Sequence, residues 1–149
     1  MKKYELTEET VTVYGKTLYR IRAVRDFGSV KTGEFGGYIE KEENLSHFGN
    51  AWIYGDAWVY GNARVSGNAK VFNTRHFFVQ GPIGSRDGYV TFYRTKDDTV
   101  EVRCGCFSGS LQEFVNQVEE THGGSRYEKE YKLAAELAKV CIRLEGESR

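Results

Sequence analysis

The chain has 149 residues, enough for one domain or two small ones. Its 21 Lys and Arg balance 21 Asp and Glu, and a formal net charge of zero argues against a general nucleic-acid binder while leaving room for a local basic site. No stretch approaches the roughly 20 apolar residues of a membrane span, Met1-Lys2-Lys3-Tyr4-Glu5 lacks the apolar run of a signal peptide, and an odd three Cys fit free thiols in the cytoplasm.

Residues 3–25 read as a β-hairpin. Thr10 to Tyr14 and Thr17 to Val24 alternate β-formers on either side of a Gly15-Lys16 turn. Residues 26–40 are punctuated by Gly and lead into the next segment as its cap. From Gly49 to Phe72 the chain repeats every six residues. Gly stands at 49, 55, 61 and 67, followed by Asn or Asp, then Ala, then Ile or Val two residues on. This period is neither helical nor a two-residue alternation, and it predicts a β-solenoid of short strands and tight corners. Gly with Asn or Asp supplies the corners. Ala51, Ala57, Ala63 and Ala69, with Ile53, Val59, Val65 and Val71, point inward.

Three such units close one triangular coil, so residues eighteen apart stack: Trp52 over Lys70, and Tyr54 over Phe72. Glu43 to Phe48 reads as a degenerate further unit that keeps Asn44 and Leu45. Trp52, Trp58, Arg64 and Lys70 are expected to project outward. The two Trp residues then either offer a partner surface or pack against flanking segments. A coil this short cannot bury its own ends, which predicts capping by the rest of the chain and a homo-oligomer.

After Phe72 the period stops. His76 to Gln80, Tyr89 to Thr95 and Thr99 to Cys106 read as strands, with Gly81–Gly88 as a loop and Lys96-Asp97-Asp98 as a turn. Ser110 and Glu113 have capping-box spacing before a helix that ends at Gly123-Gly124. Tyr127, Tyr131, Ala134, Ala138 and Cys141 mark the core face of a second helix, about Ser125 to Leu144, with frayed residues after it. The expected fold is therefore mainly β plus α+β. An N-terminal hairpin and cap (1–43) precedes a short hexapeptide β-solenoid (44–73) and a β-β-β-α-α domain (74–149).

The repeat, after an Asp-Phe-Gly…Gly-Gly-Tyr-Ile-Glu lead-in, resembles a large group of phage and prophage solenoid proteins over roughly Asp26 to Phe72. Val79 to Arg86, Thr91-Phe92-Tyr93, Cys104 to Phe107 and His122-Gly123 resemble a domain joined to such repeats in phage genomes. By analogy of genomic context, the resemblance implies an anti-defence sponge in the host cytoplasm. Such a protein sequesters a nucleotide immune signal, either ADP-ribose-derived or cyclic.

The residues themselves point to phosphate. Gly81, Gly84 and Gly88 free the loop backbone, Ser85 donates, and Arg86 offers a planar fork. Neither a Walker loop nor a dinucleotide fingerprint is present. The expected ligand site is Gly84, Ser85, Arg86, Thr91, Tyr93, Arg94 and His122, with Tyr89, Phe92 or Tyr93 as an aromatic wall. No catalytic residue, metal or cofactor is expected, and the chain is read as a non-enzyme. Cys104 and Cys106, two apart on one strand, with His122 and Cys141, have the types but not the spacing of a zinc site, so packed thiols are favoured. Cys106 with His122 as base is a further alternative. A structural, oligomerising or host-protein-binding module and a small transferase or hydrolase remain competing functions. Four repeat units are few for a solenoid acyltransferase.

Overall fold

The computed structural model describes residues 2–144. It is mainly β with two helices. β1 (Tyr4–Val13) and β2 (Lys16–Ala23) form an antiparallel hairpin. Its turn is Tyr14-Gly15, both at positive φ. β3 (Phe35–Ile39) pairs antiparallel with β2 and, on its other edge, parallel with β5 (Trp58–Val59). Gly36 and Gly37 make that position accessible. A Cβ on Gly36 would lie 2.6 Å from the Ile53 carbonyl, and one on Gly37 2.5 Å from the Ala57 carbonyl. The Gly-Gly pair thus serves close backbone approach.

In the repeats, β4 (Trp52–Ile53) pairs parallel with β6 (Lys70–Val71), with Trp52 opposite Lys70. These residues are eighteen apart, and the rings of Tyr54 and Phe72 stack at 4.5 Å. Gly49, Gly55, Gly61 and Gly67 all have φ between 59° and 70°. The four Ala and the four Ile or Val residues of the repeats are all buried. Two other parallel contacts, Ile39 with Val59 and Leu45 with Val65, join residues twenty apart. The offset changes between Leu45 and Ile53, where two extra residues are accommodated near His47 and Phe48. Leu45 therefore occupies the slot of Val65, and Asn44 stands opposite Arg64 rather than in the repeat's Asn position. This corrects the register expected for Glu43–Phe48. Asn44 is fully buried. Its Oδ1 accepts from the N–H groups of Glu40 (3.2 Å) and Lys41 (3.0 Å), and its Nδ2 donates to the carbonyls of Gly61 (3.1 Å) and Ala63 (2.9 Å).

The Trp side chains are packed against flanking segments. Trp52 is 1% exposed, with the rings of Phe27 at 5.1 Å and Tyr4 at 6.3 Å. Trp58 is half-buried against Val13, Leu18 and Tyr38. Of the two expected roles, packing against flanking segments holds, because the hairpin and the segment after it lie over those faces. Lys3 is also buried there, its ammonium donating to the Ala51 carbonyl at 2.6 Å above the Phe27 ring.

The second sheet has four antiparallel strands in the order β10-β9-β8-β7: β7 (Phe77–Ile83), β8 (Gly88–Arg94), β9 (Val100–Cys104) and β10 (Phe107–Ser110). The expected single strand Thr99–Cys106 is broken by Gly105 at φ 56°. Cys104 pairs across the resulting turn with Phe107. Cys104 and Cys106 therefore do not share one strand face. Ser110 and Glu113 make the expected capping box for α1 (Leu111–His122), and α2 (Arg126–Cys141) follows. The expected fraying at the chain end falls on residues 145–149, outside the described residues. Val90, Phe92 and Val102 meet Phe114, Val118, Ala134, Ala135 and Ala138 in one core. The opposite face of β8 lies on the repeats: Tyr93 joins their core, and the Arg64 N–H donates to the Thr91 hydroxyl at 2.9 Å. Among the described residues, no helix is long and apolar enough to cross a membrane.

Candidate functional site

Where the second sheet meets the repeats, a cleft of about 740 Å³ opens. The expected Gly81–Gly88 loop is shorter than its sequence implies, since β7 runs to Ile83 and β8 starts at Gly88, and the turn between them, residues 84–87, is one wall. Gly84 has φ +80°, and its N–H donates to Glu130 Oε1 at 2.7 Å. A Cβ there would run into the Tyr131 hydroxyl, so only Gly lets the turn sit this tightly on α2. With Gly84 docked, Ser85 and Arg86 line the cleft. Arg64 approaches from the repeats and Arg103 from β9, its Nε donating to the Gly105 carbonyl at 3.0 Å. His122, the last residue of α1, closes another side. Its ring is half-buried, 5.5 Å from Tyr131 and 5.8 Å from Tyr127. Among the described residues no carboxylate pairs with Arg64, Arg86 or Arg103, and none lines the cleft.

Burial pushes the Cys104 thiol pKa up, against a hydrogen bond from Tyr131. Tyr131 is itself raised, first by burial and then by Cys104. Both are thus kept neutral at the cleft floor near neutral pH, and neither competes with the arginines as an anion. Three guanidinium groups, an imidazole and an exposed Tyr89 ring suit a ligand that combines phosphate with a planar ring.

Of the residues expected at the site, Ser85, Arg86 and His122 are brought together. Gly84 is adjacent, but its N–H is already engaged by Glu130. Thr91 is 1% exposed, its hydroxyl taken by Arg64 N–H. Tyr93 is fully buried, with its hydroxyl 3.3 Å from that of Ser66. Arg94 is directed away, donating to Asp98 Oδ1 at 2.9 Å and to the Lys70 carbonyl at 3.2 Å. Of the aromatic wall only Tyr89 lines the cleft, Phe92 being core. Arg64, Arg103, Asn62 and Tyr131 were not expected there. Arg64 was legible as an outward repeat position, but its neighbour across the cleft was not. Among the described residues no three potential metal ligands cluster, and Cys141 lines a different cleft from Cys104, Cys106 and His122.

No family model matches the chain. It is similar to a protein named "Uncharacterized acetyltransferase YdcK" of Escherichia coli (strain K12), 39% identical over 62 residues. The match covers 36% of this chain and 19% of that protein, so the chain spans less than a fifth of the relative it matches. The likeness is consistent with hexapeptide repeats. A relative named as an acetyltransferase points to an enzyme, and this overturns the expectation of a non-enzyme.

Proposed function

We propose that the chain binds a phosphate-bearing nucleotide in the three-arginine cleft and uses it as the donor of an acyl group. The observation that carries this is the convergence of Arg64, Arg86 and Arg103, without lining carboxylates, in a chain of zero net charge. Such a site favours phosphate through local charge-assisted bonds rather than long-range attraction. The name of the relative supplies the reaction class, since acyl groups are commonly carried as thioesters of a phosphorylated nucleotide. His122 is the base of this reading. It takes the proton of an amine or hydroxyl acceptor as that atom bonds to the acyl carbon, and returns it to the thiolate when the C–S bond breaks. On the same reading, residues 44–73 are one coil of a hexapeptide β-solenoid. The hairpin holds one side of it and the second sheet the other.

Calorimetry with coenzyme A tests the binding. Arg86→Ala removes one charge-assisted interaction of roughly 1.5–3 kcal/mol, so affinity should fall about 10- to 100-fold with the melting temperature unchanged. Equal affinity in wild type and variant would retire the cleft as the donor site. For the chemistry, acetyl coenzyme A is offered with a panel of amines and alcohols and read by mass spectrometry. His122→Ala should lower transfer about 10²- to 10⁴-fold, far more than it lowers donor affinity. Absence of transfer by the wild type across the panel counts against the enzyme reading.

A further inference from the structure

The cleft continues past Tyr89 into a second one of about 550 Å³, and Asn62 and Tyr89 line both. Lys16 at the hairpin tip, Tyr60 at a repeat corner, Arg75 and the edge-strand residue Phe77 form its walls. Like the first cleft, it is lined by no carboxylate. Lys16 reaches Glu40 at 3.6 Å. Arg75 lies in the 3-10 turn Thr74–His76, and among the described residues no carboxylate pairs with it. Its backbone is fixed on both sides. The Arg75 N–H donates to Asn73 Oδ1 at 2.8 Å, and its carbonyl accepts from the Arg143 N–H at 2.8 Å. The guanidinium therefore extends from a held base. Tyr89, 41% exposed, stands between the two groups of cations. Each cleft falls in the usual size range of small-molecule sites.

Cations on both sides of one exposed ring, with no lining carboxylate, fit a ligand that is anionic at two separated places and carries a planar ring beside them. We propose that the second cleft is a subsite for a second phosphate. The ligand is then a nucleotide bearing two separated phosphate groups, one on Arg64, Arg86 and Arg103 and one on Arg75, with its base against Tyr89. This rests on the nucleotide reading of the first cleft.

The test compares AMP, ADP and adenosine 3′,5′-bisphosphate by calorimetry on the full chain. ADP carries an added phosphate next to the first, and so controls for charge alone. Wild type should bind the bisphosphate at least about 10-fold more tightly than ADP, the gain expected of one charge-assisted contact. Arg75→Ala and Arg75→Gln should each remove that advantage while leaving AMP affinity unchanged, which also certifies the fold. Arg86→Ala should weaken all three nucleotides. Equal binding of ADP and bisphosphate by the wild type overturns the subsite, as does an Arg75 variant that keeps the bisphosphate advantage. In both cases the first cleft stands if Arg86 still matters. Failure of every probe to bind wild type overturns the first-cleft reading and this one with it.

Discussion

Replacing Asn44 with Ala should be among the costliest single changes in the repeats. Four hydrogen bonds converge on this buried amide, two accepted from Glu40 and Lys41 and two donated to Gly61 and Ala63. At roughly 0.5–1.5 kcal/mol net per bond, their loss amounts to about 2–6 kcal/mol. That is a large part of the roughly 5–15 kcal/mol that holds a typical domain folded. The control is Asn62→Ala, an exposed Asn in the repeat's own Asn position, expected to cost no more than about 0.5 kcal/mol. Urea unfolding followed by tryptophan fluorescence gives both, with Trp52 and Trp58 close to the affected contacts. A shift of midpoint at constant slope reports stability alone. If Asn44→Ala costs under about 1 kcal/mol, or no more than Asn62→Ala, water or neighbouring groups replace the amide and the reasoning fails.

Gly84→Ala combines a left-handed backbone with a collision against Tyr131, so a loss of about 2–4 kcal/mol is expected; Tyr131→Phe in the same chain should recover part of it, and thermal melts showing no loss for Gly84→Ala would contradict the docking of the turn. For Lys3, burial first and the Arg25 charge second lower the pKa from 10.5 to about 7. Between those values the unfolded chain binds a proton that the folded chain does not, so this group's contribution falls as pH drops from about 10.5 to about 7, by at most ~1.4 kcal/mol per unit. Subtracting the Lys3→Met stability curve from the wild-type curve should expose that slope, and a flat difference from pH 7 to 10 would show that Lys3 titrates normally.

The repeat spelled out its own interior. Gly takes a positive φ at each repeat, and the Ala and the Ile or Val that follow it are buried, as the six-residue period implies, because each position is dictated by local backbone and packing. Trp52 was ambiguous since the same outward position serves a partner or a cap, and only the arrival of Tyr4 and Phe27 decides it. Leu45 sits two residues away from its place in the repeat's phase, because an insertion near His47 leaves no compositional mark. The extra hairpin at Gly105 was hidden by β-formers on both sides of it. In the candidate site, Ser85, Arg86 and His122 announced themselves by residue type. Arg64 and Arg103 did not, as their meeting depends on how the second sheet lands on the repeats. Thr91, Tyr93 and Arg94 follow from the same landing: it uses their polar atoms to join the two halves.

On the coil reading proposed above, the parallel pair of Trp52 and Lys70 bounds one lap of chain. Chain length in that lap sets the angle at which the second sheet meets the hairpin. Adding eighteen residues would lift the sheet by one strand spacing, roughly 4.8 Å, and leave its heading unchanged. If each lap has three six-residue sides, adding six after Val65 would swing the sheet by about a third of a revolution and carry Arg86 and Arg103 away from Arg64, so that on this reading the lap is a gear whose tooth count aligns the arginines.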